Sequence, residues 1–105
     1  MTGTYILNKK KDAIPIKDAD EWAEWFATAD RHVGDNRKML NGKEYHVSTV
    51  FLGLAHQYDD GPPLLFETMV FEDKEEIFQD RCSTYEQAEE MHIEAARMVM
   101  KEYDT

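Results

Sequence analysis

Apolar residues recur along this chain in two distinct rhythms. From Asp18 onward the rhythm is helical: Trp22, Trp25, Phe26, Ala29 and Val33 stand at i, i+3, i+4, i+7 and i+11. That stripe predicts an amphipathic helix from Asp18 to about Val33. Asp18 or Asp20 is placed to cap it, Glu21 favours its positive end, and Gly34 reads as its C-terminal stop. A second helix is predicted from Ser83 or Thr84 to about Tyr103, with Ala88, Met91, His92, Ala95, Met98 and Val99 on its apolar face. Thr84 with Gln87 and Ser83 with Glu86 both have capping-box spacing.

Between the helices the rhythm shortens to two, the period of a strand. Asn41-Gly42 is a strong hairpin dipeptide, because a type I′ turn needs positive φ at both central residues. It places a short strand at 37–40 and a long one at 43–54. LLFETMVF, residues 64–71, is a further strand, and Glu76 to Cys82 another. TYILN (4–8) and AIPIK (13–17) read as short extended pieces, with Pro15 restricting the second to an edge or a strand end. The expected fold is α+β: one domain over 1–105, an antiparallel meander sheet of about four strands with two amphipathic helices.

The strands 47–54 and 64–71 should form a hairpin. A loop symmetric about Asp59 opposes Val50 to Thr68, Leu52 to Phe66 and Leu54 to Leu64. One face then carries Ser48, Val50, Leu52, Leu54, Leu64, Phe66, Thr68 and Val70, and is expected to lie under the helices. His46 falls on this side. The other face carries Val47, Thr49, Phe51, Gly53, Leu65, Glu67, Met69 and Phe71, and is also largely apolar. It must be covered by a second copy or a partner, by the N-terminal strands, or by one of the helices. Glu67 interrupts this apolar face. It is expected to be paired with a cation from the N-terminal strands or a dimer mate, or else to carry a raised pKa.

Composition bounds the functional classes. With 12 basic and 22 acidic residues the chain carries a net charge of −10, which excludes a basic, phosphate-neutralising nucleic-acid binder. Residues 1–53 are neutral, with eight charges of each sign, and the whole excess lies in 54–105. Part of it, Glu86, Glu89, Glu90 and Glu94, is where a helix dipole favours acids. The remainder centres on an acidic turn at 72–76. The longest apolar runs are about half a membrane span, so no membrane association is expected. A single cysteine, Cys82, and no signal-like N-terminus fit a cytoplasmic location.

Candidate chemistry is sparse. His32, His46, His56 and His92 stand at no metal-site spacing, and no phosphate loop, nucleophile elbow or Cys pair is present, so neither metal nor cofactor is expected. His92 reads as a satisfied core or boundary histidine and Cys82 as structural. Lys9, Lys10 and Lys11 read as a solvated turn. The loop from His56 through Tyr58, Asp59 and Asp60 is the densest polar patch. The expected binding residues are Phe51, His56, Tyr58, Glu67, Met69 and Phe71.

The pattern W-x-x-W-F, then V-S-T-V-F-L-G-L, then G-P-P-L-L-F-E-T-M-V-F, then S-T-Y-E-x-A-E, spanning residues 21–95, resembles a family of short phage- and prophage-encoded proteins of unassigned function. This chain departs from the pattern at Ala55, where the resemblance implies an acid, and in its 72–76 insert. The resemblance implies a protein that acts in an infected cell by binding a host protein or complex, in an anti-defence or regulatory role; a homodimer through Phe51, Leu65, Met69 and Phe71 is expected from the apolar sheet face. The alternative is a small-molecule or nucleotide binder using the 55–63 loop and the sheet face. Catalysis is the least favoured reading.

Overall fold

A computed structural model describes residues 3–55 and 60–100. The elements are β1 (Tyr5–Leu7), β2 (Ala13–Pro15), α1 (Ala19–Thr28), β3 (His32–Leu40), β4 (Lys43–Phe51), β5 (Phe66–Glu72), β6 (Glu75–Cys82) and α2 (Tyr85–Met100). β3 to β6 form an antiparallel meander in that spatial order, and β1 pairs with β2 in a separate two-stranded sheet. The fold is α+β.

Two tight turns set the meander. Asn41 and Gly42 have φ of 52° and 83°, as a type I′ turn between β3 and β4 requires. Asp73 and Lys74 do the same between β5 and β6, at 47° and 73°, although neither is glycine. The acidic turn has a structural role. The Asp73 amide donates to the Glu44 carbonyl (2.8 Å), and the Asp73 carboxylate accepts from the Glu44 amide (2.9 Å). Glu72 accepts from the Tyr45 hydroxyl (2.9 Å) and from Lys43 (3.2 Å), and these bonds hold its carboxyl below the usual range. Two of the acids of the 72–76 turn therefore pin the β5–β6 turn to the start of β4.

The first helix is shorter than its apolar stripe predicts. Asp18 caps it, accepting from the amides of Asp20 and Glu21. It ends at Thr28, because His32 and Val33 are drawn into β3. Phe51 and Arg31 exchange bonds there: the Phe51 amide donates to the Arg31 carbonyl, and the Arg31 guanidinium donates to the Phe51 carbonyl. Gly34 is accordingly no helix stop. It lies in β3 beneath His92, where a Cβ would come within 2.6 Å of the imidazole ring. Glycine is required there by close approach rather than by a turn.

The β4–β5 register also differs from the expected one. Thr49 faces Thr68 and Phe51 faces Phe66, so odd-numbered β4 residues oppose even-numbered β5 residues. The loop is not symmetric about Asp59: the regular ladder ends at Phe51 and Phe66, and Gly53 turns the chain with φ of 77°. Because side chains alternate with period two, this single-residue offset turns β4 over relative to the expectation. Val47, Thr49 and Phe51 join Phe66, Thr68 and Val70 under α2, and all six are fully buried.

This core has two apolar clusters. Phe51, Ala55, Leu65, Phe66 and Ala88 form one, and Val47, Val70 and Ala95 the other. The Thr49–Thr68 pair lies between them. The two hydroxyls meet at 2.5 Å, Thr49 meets His92 Nδ1 at 2.7 Å, and His92 Nε2 meets Asn36 Oδ1 at 2.6 Å. With Asn36 accepting, Nε2 carries the proton and Nδ1 accepts from Thr49, whose oxygen accepts in turn from Thr68. Burial holds the His92 pKa below its ordinary value, in keeping with this neutral ring. His92 is thus the satisfied core histidine that its place on the helix suggests.

α2 begins with the Thr84–Gln87 capping box. The Gln87 amide donates to Thr84 Oγ1 (3.1 Å), and the Gln87 side chain accepts from the Thr84 amide (3.2 Å). α1 packs elsewhere, against the β1–β2 hairpin and the end of the sheet. Trp22 donates to the Tyr5 carbonyl, and Trp25 sets its edge against Phe51 with ring centroids 5.7 Å apart. β1 is held at the same end by the Tyr5 amide on the Gly53 carbonyl (2.8 Å). Among the described elements, neither the N-terminal strands nor a helix covers the second sheet face.

Candidate interaction surface

The face opposite α2 is built from the alternate residues of the same strands. Registered pairs place His32, Val50, Glu67 and Arg81 in one row across the sheet, Asp35, Ser48, Met69 and Gln79 in a second, and Arg37, His46, Phe71 and Glu76 in a third. Val50, Met69 and Phe71 are partly exposed rather than buried. They form an apolar centre flanked by charged and polar side chains.

Those polar side chains are organised. Glu67 accepts from Arg81 Nε at 2.9 Å and from Gln79 Nε2 at 2.6 Å, through the same carboxylate oxygen. Its expected cation therefore comes from the adjacent strand β6, not from the N-terminal strands. His46 donates to Asp35 at 2.6 Å and stacks on Phe71 with centroids 5.7 Å apart. Around this pair lies a shallow cavity of about 320 Å³, lined by Arg37, Glu44, His46, Phe71 and Lys74. Arg37 is only loosely held by Glu44, at 3.7 Å.

The structure brings together three of the expected binding residues: Glu67, Met69 and Phe71 share the open face. Phe51 does not join them. It is buried in the core, because β4 presents its odd-numbered residues to α2, and Leu65, just before β5, is buried in the same cluster. His56 and Tyr58 lie outside the described residues. His46, expected on the helix side, is on the open face for the same reason of register. Asp35, Arg37 and Arg81 complete the face without any local sequence signal, since their placement depends on cross-strand pairing.

A second concavity, of about 900 Å³, opens at the other end of the strands between the β1–β2 turn and the start of α2. Tyr5, Lys11 and Tyr85 line it, with the Lys11 ammonium 5.6 Å from the Tyr85 ring centroid. Glu86 and Glu89 line the same cleft.

Catalytic features are few among the described residues. Burial raises the Cys82 pKa to about 11, and its thiol donates to the Thr84 carbonyl, so it stays protonated and unreactive at neutral pH. Among the described residues no three His, Cys, Asp or Glu side chains converge on a metal-sized site. Every buried side-chain nitrogen or oxygen among them has a hydrogen-bond partner. No described helix is long and apolar enough to cross a membrane. No family model, curated protein or solved structure matches the chain.

Proposed function

We propose that this chain acts by binding protein, and that the open face of the four-stranded sheet is its contact surface. The observation that carries the reading is the one-sided sheet. α2 covers one face, while Met69, Phe71 and Val50 stand in successive rows of the other, framed by the Glu67–Arg81 and His46–Asp35 pairs. An apolar centre within a polar rim is the anatomy of a protein interface. The resemblance to phage-encoded proteins supports a host protein or complex as a target.

Capture from host lysate with variants tests the surface. Proteins retained by the wild type should be lost with Met69→Asp and kept with Ile93→Asp, which alters an exposed position of α2. Identical retention by all three forms would exclude the open face. A second reading, a small-molecule binder, rests on the 900 Å³ cleft with its two tyrosine rings and Lys11. Thermal shift with a panel of nucleotides tests it; the acids Glu86 and Glu89 weigh against an anionic ligand.

A further inference from the structure

We infer that the occupant of the open face is a second copy of this chain, related by a two-fold axis parallel to the strands and lying between β4 and β5. This rests on the reading of that face as a protein contact. Charge complementarity across the rows of the sheet favours a second copy in this orientation. A half-turn about such an axis preserves height along the strands and exchanges the columns, so β3 lies over β6 and β4 over β5 of the second copy. In the third row, Arg37 then stands over Glu76 of the second copy, and His46 over Phe71. In the second row Ser48 stands over Met69. In the first, Val50 stands over Glu67, whose carboxylate keeps its bonds to Arg81 and Gln79. By symmetry the Arg37–Glu76 pairing occurs twice, as an isologous interface demands.

The other face-to-face dyad, perpendicular to the strands, is worse. Centred on the second row, it lays β3 on β3 and sets Asp35 against Asp35 and Glu67 against Phe71, although it also brings Glu76 over Arg81. Like charges in register exclude a pairing more strongly than rim charges favour one. Arg37 is free to engage a new partner, because its side chain is 60% exposed and its bond to Glu44 is long. Twisted sheets packed face to face cross at about 30°, so the match is closest near the axis and loosest at the corners. Four strands about 4.8 Å apart and seven residues of about 3.3 Å each give a face of roughly 19 by 23 Å. That is small for a specific interface, so the dimer dissociates on dilution through the micromolar range.

Sedimentation velocity of the full chain, from low micromolar to several hundred micromolar, tests the inference. The wild type should pass from monomer to dimer. Arg37→Glu and Glu76→Arg should each weaken association roughly tenfold or more, since each sets like charges together twice. The double variant Arg37→Glu/Glu76→Arg should restore association to within about threefold of wild type. Circular dichroism establishes that each variant is folded; both positions are exposed. A wild type that stays monomeric throughout, or a double variant no better than the singles, overturns the inference. A monomeric wild type whose capture of other proteins still depends on Met69 overturns it while leaving the proposed function standing. A dimer indifferent to Met69→Asp and to both charge reversals forms through another surface and overturns the inference, whereas the proposed function falls only if capture of other proteins is equally indifferent to Met69→Asp.

Discussion

The two faces of one sheet are made from alternate residues of the same strands, yet they are built differently. Under α2, six alternating positions of β4 and β5 are fully buried, and the single polar row among them is closed on itself: Thr68, Thr49, His92 and Asn36 satisfy one another with no water needed. On the open face the polar groups are paired at the rim, and the apolar ones stand between them half exposed. Each face holds a histidine. His92 is neutral and fixed between two partners, whereas His46 stacks on Phe71 with a carboxylate beside it. The contrast separates positions that maintain the fold from positions free to make contacts. It also assigns a role to the buried polar row. A slip of β4 by one residue would move Thr49 away from both Thr68 and His92, so the row specifies the register that the apolar clusters alone would leave looser.

The largest expected effect comes from the covered face. Phe51→Ala should destabilise the protein by about 3–5 kcal/mol in chemical denaturation, because it empties the centre of a packed cluster. Met69→Ala, the matching truncation on the open face, should cost under about 1 kcal/mol in the monomer; equal costs would mean that the second face is covered after all. Gly34→Ala sharpens the comparison at the point where β3 meets α2. Its Cβ would press on the His92 ring, and a loss of about 1–3 kcal/mol is expected. Lys74→Gly acts at the β5–β6 turn, beside the cavity around His46 and Phe71. Relieving a left-handed conformation at a non-glycine residue should raise stability by about 1 kcal/mol in chemical denaturation.

The most gradual effect is one of pH. The folded-state pKa of His92 lies below its unfolded value, so folding favours the neutral ring. That contribution is fully present above about pH 6.5, the ordinary histidine value, and is lost as pH falls below it toward the folded-state pKa. Unfolding midpoints measured between pH 8 and 5 should therefore fall more steeply for the wild type than for His92→Gln.

Features set by near neighbours are legible in the chain alone. Asn41-Gly42 turns as its φ requirements dictate, Thr84 and Gln87 cap α2 as their spacing implies, and Ala88, Met91, His92 and Ala95 are buried as their stripe predicts. The β5 residues from Phe66 to Phe71 also face the sides expected of them. A local signal misleads where it has a distant competitor. Val33 continues a helical stripe, but the pairing of β3 with β4 draws it into the sheet. Gly34 has the character of a helix stop and serves instead as a gap for His92. For β4 the difficulty is parity: Ser48, Val50, Leu52 and Leu54 look as apolar on one side as Val47, Thr49 and Phe51 do on the other.

Periodicity and turn chemistry depend on residues a few positions apart, and they are enough to specify a four-stranded meander, a capped C-terminal helix and an α+β class. The side of β4 that meets α2, the end of α1 and the cation that neutralises Glu67 depend on residues brought together across many positions. Strand alternation makes the two faces of β4 equivalent until a partner selects one. The partner is the helix that brings His92 over Gly34 and Thr49, and it thereby leaves Met69, Phe71 and the ion-paired Glu67 on the open side.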